Sequence, residues 1–292
     1  MITFNKTAQW CEDFTHEYMG EYLQGDYHIR TCIVPKERTP GATMVFIDAF
    51  EPDVMQPLST VDDIVKSIKN IDILLTRRPE LLTAFPDKAR KFVYGTTWLK
   101  NPRTTKKEKS ISFTMTSKRG DGKADGYNLR WSFLESVLNH KVDFALPFRF
   151  FDSSRFPVFT DYENTKEWLA RLNEGKNSHQ FIEDEKEPIF DSMFSIIIEN
   201  QRHPNYLTEK LIDCVLSKSV PLYFGCPNIG DYFDTEGMII IRDLEHLIEV
   251  VQNLTPEDYE TRLPIMQKNL ELAQDLARPL AERTIEAIKK AN

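Results

Sequence analysis

Cysteine is scarce in this chain of 292 residues: four, at Cys11, Cys32, Cys214 and Cys226, in neither zinc nor redox spacing. That reads as reduced thiols in a cytoplasmic protein, not as a disulfide scaffold. No apolar run approaches the ~20 residues of a membrane span, and Met1 to Gly20 has no secretory apolar region. Internal repeats and low-complexity tracts are absent. No strand pattern is followed by Gly-x-Gly-x-x-Gly, which disfavours a Rossmann-type oxidoreductase. Positive charge is in deficit as well, with 37 Lys and Arg against 45 Asp and Glu and a formal charge of −8. A general nucleic-acid binder is thereby disfavoured, and any phosphate site must be local.

What is present is a core-forming composition, 41% hydrophobic, in a chain long enough for two domains. Residues 1–104 alternate strand and helix signals. The strand candidates are His28–Val34, Met44–Ile47, Ile71–Leu75 and Lys91–Tyr94, with a helix between Val61 and Ile68. At Lys100–Lys109, Pro, Thr and five basic residues interrupt the hydrophobic pattern, the candidate linker. Residues 105–275 resume with a strand at Ser110–Thr116 and a helix at Tyr127–Asn139. A Thr-Pro-Glu-Asp helix start at Thr255 opens a helical tail. Its last piece, 276–292, is expected to cross back to the first domain.

The chemistry concentrates between Phe194 and Phe233. An apolar run, Phe194–Ile198, ends abruptly in Glu199 and Asn200. A polar loop leads to a helix starting at Thr208, Glu209 and Lys210, and a second apolar strand follows at Val220–Phe224. This is a βαβ unit with its polar groups beyond the carboxyl end of the first strand, where open α/β sheets bind ligands. Thr208 suits the N-cap and Glu209 the positive end of the helix dipole. Lys210 does not, unless an anion sits nearby. Free N–H groups beside a lysine make a phosphate site, and a snorkelling surface lysine is the competing reading.

The order Glu199-Asn200, Tyr206-Leu207-Thr208-Glu209-Lys210, then Val220-Pro221 running into Gly225-Cys226-Pro227, resembles the donor-binding motif of the α1,3/1,4-fucosyltransferases. The resemblance is strongest there, extends over about Lys109 to Asp243, and is thin before that. It implies an α/β, GT-B-like fold of two Rossmann-like domains facing across a cleft. It implies an inverting glycosyltransferase that moves a sugar, fucose from GDP-fucose, to a glycan hydroxyl. In that reading Glu209 accepts the ribose hydroxyls. Lys210 and Arg130, near the start of its helix, neutralise the diphosphate, and Asn200 and Tyr206 orient sugar and nucleotide. For Tyr206 a packing role before the helix is the alternative. The general base is expected at Glu51, with Asp48 as runner-up. Lys118 and Arg119 are further basic candidates. His203 reads as a solvated loop histidine, and Glu199 as a residue that ties down the loop.

No two aspartates are separated by one residue and no histidine pair has helical ligand spacing. With Lys210 and Arg130 to carry charge, catalysis is expected to need no metal and no cofactor beyond the nucleotide-sugar. The expected partners are that donor and a glycan acceptor, not nucleic acid. Two alternatives stay open: a catalytically silent nucleotide-sugar or glycan-binding protein, and a transferase using a different nucleotide-sugar.

Overall fold

The computed structural model describes residues 2–5 (backbone only), 23–31, 33–49, 60–102, 106–120, 124–153, 157–159 and 165–291. The chain divides into two compact units. One comprises Met1–Thr96, His203–Leu207 and Ala277–Asn292, the other Thr97–Arg202 and Thr208–Leu276.

The first unit is built on five parallel strands in sequential order: β1 (Ile2–Asn5), β2 (Tyr27–Thr31), β3 (Thr43–Asp48), β4 (Ile73–Thr76) and β5 (Ala89–Lys91). Strands covered on both faces read as continuous apolar runs, and β3 and β4 do so. Helix α1 (Val61–Ser67) begins with a capping box between Thr60 and Asp63. Helix α2 (Pro79–Ala84) begins with proline, whose missing N–H costs nothing at that position. The last helix of the chain, Leu280–Ala291, buries Leu280, Ala281, Ile285 and Ile288 with Ile29, Val45, Ile47 and Leu75 of the sheet.

The strand expected at Lys91–Tyr94 lies instead at Ala89–Lys91. Phe92 and Val93 are buried, which accounts for the apolar signal, but the backbone beyond Lys91 leaves the ladder. A guanidinium takes its place: Arg283 donates to the carbonyls of Val93, Tyr94 and Gly95 at 2.8, 2.7 and 2.8 Å. Buried carbonyls must find donors, and here one side chain serves three.

The second unit has six parallel strands: β6 (Glu108–Met115), β7 (Phe148–Ser153), β8 (Ser178–Ile182), β9 (Ser192–Ile198), β10 (Val220–Phe224) and β11 (Ile239–Ile240), in the order β11-β10-β9-β6-β7-β8. Helices α3 (Asp125–Leu138), α4 (Thr165–Leu172), α5 (Glu209–Leu216), α6 (Leu244–Asn253) and α7 (Pro256–Leu276) belong to it. Its core includes the ring cluster Phe113, Phe133, Phe148 and Phe150. The expected linker does not form the boundary between units, which falls at Thr96/Thr97. The reason is local: Asp213 takes the Thr97 hydroxyl at 2.7 Å and the Trp98 N–H at 3.1 Å, while Glu187 takes the N–H groups of Lys100 and Asn101.

The strand order fixes where a ligand can go. The chain winds outward from β6 to β7 and β8, then returns to lay β9 on the other flank of β6. Between β6 and β9 the winding reverses, and the carboxyl ends of strands at such a reversal are where open α/β sheets bind ligands.

Replacing Arg283 with alanine would leave three carbonyls without their shared donor. We expect a loss of about 1.5–3 kcal/mol in denaturant unfolding, with Arg283→Lys recovering only part because an ammonium lacks the planar fork.

Candidate functional site

The site grows from the end of β9. All seven residues of the strand are buried, and its chain then turns polar at Glu199 and Asn200. The Glu199 carboxylate is fully buried. It accepts from the Thr208 N–H at 2.8 Å and the Thr208 hydroxyl at 2.7 Å. Thr208 is in turn the N-cap of α5, its hydroxyl accepting from the Lys210 N–H. One carboxylate thus fastens the start of α5 to the end of β9, which is the loop-tying role expected of Glu199.

Two glycines let neighbouring segments close on this point. A Cβ on Gly126, in the first turn of α3, would lie 1.8 Å from the Glu199 carbonyl oxygen. One on Gly225, just past β10, would lie 2.6 Å from the Glu199 Cγ. Neither position has room for a larger residue unless backbone moves.

Four of the expected residues come together around this junction. Lys210 places its ammonium 2.9 Å from the Glu209 carboxylate, 3.2 Å from the Thr208 hydroxyl and 4.0 Å from Glu199. Burial on its own would lower the Lys210 pKa, but Glu209 and Glu199 outweigh it and hold the ammonium above its usual range. Burial likewise acts to raise Glu209, and Lys210 with Lys186 overcomes it, leaving this carboxyl below its usual value. Glu199 moves the other way. Burial raises it, and Lys210 only partly compensates.

Arg130 turns inward from α3. Its guanidinium donates to the Ile198 carbonyl through Nε, at 3.1 Å, and through Nη2, and to the Asn200 side-chain oxygen at 3.1 Å. Arg130 is only 6% exposed, so its guanidinium is buried against the end of β9 and does not project freely from the helix start. The last carbonyl of β9 needs a donor, and the arginine supplies it. Asn200 is therefore held by Arg130, which is close enough to Lys210 to act on its titration.

Tyr206 sits with the first unit. It is 1% exposed, and the Arg77 guanidinium lies 5.2 Å above its ring centroid. Arg77 also contacts His203 Nδ1 at 2.7 Å, and its carbonyl accepts from Asn205 at 2.7 Å. His203 is consequently not a solvated loop residue: burial first, then Arg77, lowers its pKa. Asp48 is committed elsewhere, accepting from Arg78 Nε at 2.6 Å and the Thr76 hydroxyl at 2.9 Å. Glu51 lies outside the described residues. Arg119 stacks on Trp131, 3.8 Å from its ring centroid, and the Lys118 carbonyl accepts from the same indole. Among the described residues, no three His, Cys, Asp or Glu side chains converge as metal ligands would, and no helix is long and apolar enough to cross a membrane.

Sequence reasoning missed Lys186, the third cation of this site. Its ammonium lies 3.5 Å from the Trp98 ring centroid and interacts with Glu209, Lys210 and Asp213. Burial pushes its pKa down to about 8. Its signal in the sequence is a lone lysine inside the acidic run Glu183–Glu187. Arg77 and Arg78 were missed too, although two arginines directly after a buried strand are a legible cue.

No protein-family model matches the chain. The alpha-(1,3)-fucosyltransferase FucT of Helicobacter pylori is 28% identical to it over 76 residues, 26% of this chain and 14% of that enzyme. A crystal structure of alpha1,3-fucosyltransferase with GDP-fucose matches 95% of this chain and 89% of its own, at 12% identity and a TM-score of 0.52. The same enzyme with GDP gives 0.53 over 94% and 89%, at 11% identity. The fold is GT-B. Trehalose-6-phosphate synthase OtsA shares it to the same degree, with a TM-score of 0.53 at 11% identity over 94% of this chain and 74% of that one. Each unit carries a parallel sheet, in keeping with the GT-B likeness; the second has the reversed winding of a Rossmann-type sheet, whereas the strands of the first follow in sequential order.

Two predictions follow from this geometry. Arg130→Ala removes the donor to Ile198 and Asn200 and should lower unfolding stability by about 1–3 kcal/mol, besides any effect on a ligand. An unchanged denaturation midpoint would show that these contacts contribute nothing. Asp213, one helical turn beyond Glu209, has its carboxyl pushed by burial from 3.8 to about 7. The folded chain therefore keeps a proton that the unfolded chain has lost over that interval, so this group makes stability fall as pH rises from 3.8 to about 7. Asp213→Asn should flatten that slope in chemical denaturation measured across the same range.

Proposed function

We propose that the chain is an inverting, metal-independent glycosyltransferase that moves fucose from GDP-fucose to a glycan hydroxyl by direct displacement. The observation that carries this is the Glu209–Lys210 pair at the start of α5, set beside Arg130 and Asn200 at the switch point of the donor-type sheet. Helix N-termini attract anions. A carboxylate beside a lysine at such a terminus offers an acceptor for a sugar diol and a cation for a phosphate.

In this reading the donor diphosphate takes the Lys210 ammonium away from Glu209. That frees the Glu209 oxygens to accept from the ribose hydroxyls. Lys210 then neutralises charge growing on the leaving diphosphate as the anomeric C–O bond breaks, an electrostatic contribution that is usually the largest in such reactions. Arg130 adds its charge from below and positions Asn200 toward the sugar. Tyr206, packed under Arg77, steadies the loop that leads into α5. Glu51 removes the proton of the acceptor hydroxyl as that oxygen attacks the anomeric carbon from the opposite side.

Support for fucose and GDP comes from the motif and from the short match to the Helicobacter pylori enzyme. A second reading is retaining transfer from a UDP-sugar. It is favoured by an equal fold likeness to trehalose-6-phosphate synthases, one of which is UDP-forming and one of which was studied for glycosyl transfer with retention.

Calorimetry and thermal shift with GDP, UDP, ADP, CMP and their sugar conjugates, without metal, separate these readings. We expect selective stabilisation by GDP and GDP-fucose, abolished in Glu209→Ala and weakened at least about tenfold in Lys210→Ala. Selective stabilisation by UDP-sugars would favour the second reading, and no nucleotide binding at all would overturn both. Glu51→Gln is expected to bind donor and not turn over. Donor binding by the unaltered chain with neither transfer nor donor hydrolysis would leave a silent binding protein.

A further inference from the structure

At the other end of the same sheet, where β6, β9 and β10 begin, a cavity of about 690 Å3 opens beside α7. It lies a full strand length, roughly 20 Å, from Glu199. Four lysines line it: Lys106, Lys107 and Lys109 from the start of β6, and Lys218 from the turn between α5 and β10. Glu260 is the one carboxylate among its lining residues, and Met193 and Leu263 supply apolar surface.

Four lysines around one concavity concentrate positive charge there. Lys107 is 6% exposed and its ammonium donates to the Phe190 carbonyl, which compensates its burial, so it adds positive field to the cavity and not a donor of its own. Lys218 has φ +58°, the left-handed region where glycine or asparagine is the usual choice after a helix. Its carbonyl is pinned there by the Tyr259 hydroxyl at 3.1 Å. Among the described residues Lys106, Lys109 and Lys218 make no ion pair, so their charge is not neutralised locally.

We propose that this cavity is a second anion site that binds a ligand carrying two or more clustered phosphate groups. Lysines recognise phosphate as point charges and tolerate several arrangements of it, which suits a cluster of separate ammonium groups without an arginine fork. The phosphates belong either to a free oligophosphate or to a phosphorylated lipid head group. An extended polyanion such as nucleic acid is disfavoured by the net charge of −8 around this local patch. The site is independent of the donor reading, because it shares no residue with it.

The test titrates inorganic tripolyphosphate calorimetrically into the full chain at low and high salt. Binding should persist in Lys210→Ala, which removes the cation of the donor site, and weaken as salt rises. It should fall at least about tenfold in the double variant Lys106→Glu, Lys109→Glu, whose two positions are exposed and do not put folding at risk. Lys218→Gly deletes a third ammonium while relieving the left-handed backbone. It should unfold no earlier than the parent and still bind more weakly. Co-sedimentation with phosphatidylcholine vesicles, with and without phosphatidylinositol bisphosphate, identifies the source. Pelleting that needs phosphatidylinositol bisphosphate and is lost in the double variant assigns a lipid head group. Tripolyphosphate binding without pelleting assigns a free oligophosphate. The proposal is overturned if neither probe binds, if the double variant binds as tightly as the parent, or if Lys210→Ala alone abolishes binding.

Discussion

The second unit depends on a carboxylate that water cannot reach. Glu199 could be buried only with its oxygens satisfied, and the N-cap of α5 satisfies them through one N–H and one hydroxyl. That exchange sets the entry angle of α5 and brings the first turn of the helix back over the end of β9. Everything polar in the site hangs from it. Lys210 lies near enough to share the charge of Glu199, and Glu209 points where Lys210 can reach it. The glycines at 126 and 225 are the spatial counterpart, because α3 and the segment after β10 can close on Glu199 only where side chains are missing.

Around that anchor the site balances its own charges. Glu199 and Glu209 stand against Lys210, Arg130 and Lys186, and the balance is reached by burial and proximity more than by solvent. A low-dielectric cluster of this kind strengthens each attraction and makes any unpaired member costly. It is therefore held in order by its own members, and drawing one charge out of the cluster shifts the balance of the rest.

Much of this was legible in the residues, for identifiable reasons. Long buried runs such as Phe194–Ile198 and Val220–Phe224, bounded by polar residues, report strands directly, and Thr208 reports a helix start through its own side-chain chemistry. The strand at Phe148–Ser153 was not anticipated, since Arg149 and Asp152 interrupt its apolar pattern. Lys91–Tyr94 misled because Phe92 and Val93 are buried without belonging to the ladder. That outcome depends on Arg283, almost two hundred residues further along. Arg130 was found by its place in the sequence, yet its inward turn was invisible there, because it answers a carbonyl at the end of a different strand. Lys186 escaped for the same kind of reason. Its neighbours in the chain are acidic, with Glu183, Asp184 and Glu185 exposed, and only folding brings it to Trp98 and Glu209.

Cys214 lies on α5 among these groups, wholly buried, with its thiol pushed by burial up to about 12 and its Sγ 3.1 Å from the Ser219 carbonyl. A thiol in that condition has almost no thiolate to offer an alkylating reagent. It reacts only when α5 leaves its bed between the strands. The rate of its labelling thus reads how often the core beneath the carboxyl end of β9 opens, a clock for local unfolding that the chain carries without any added probe.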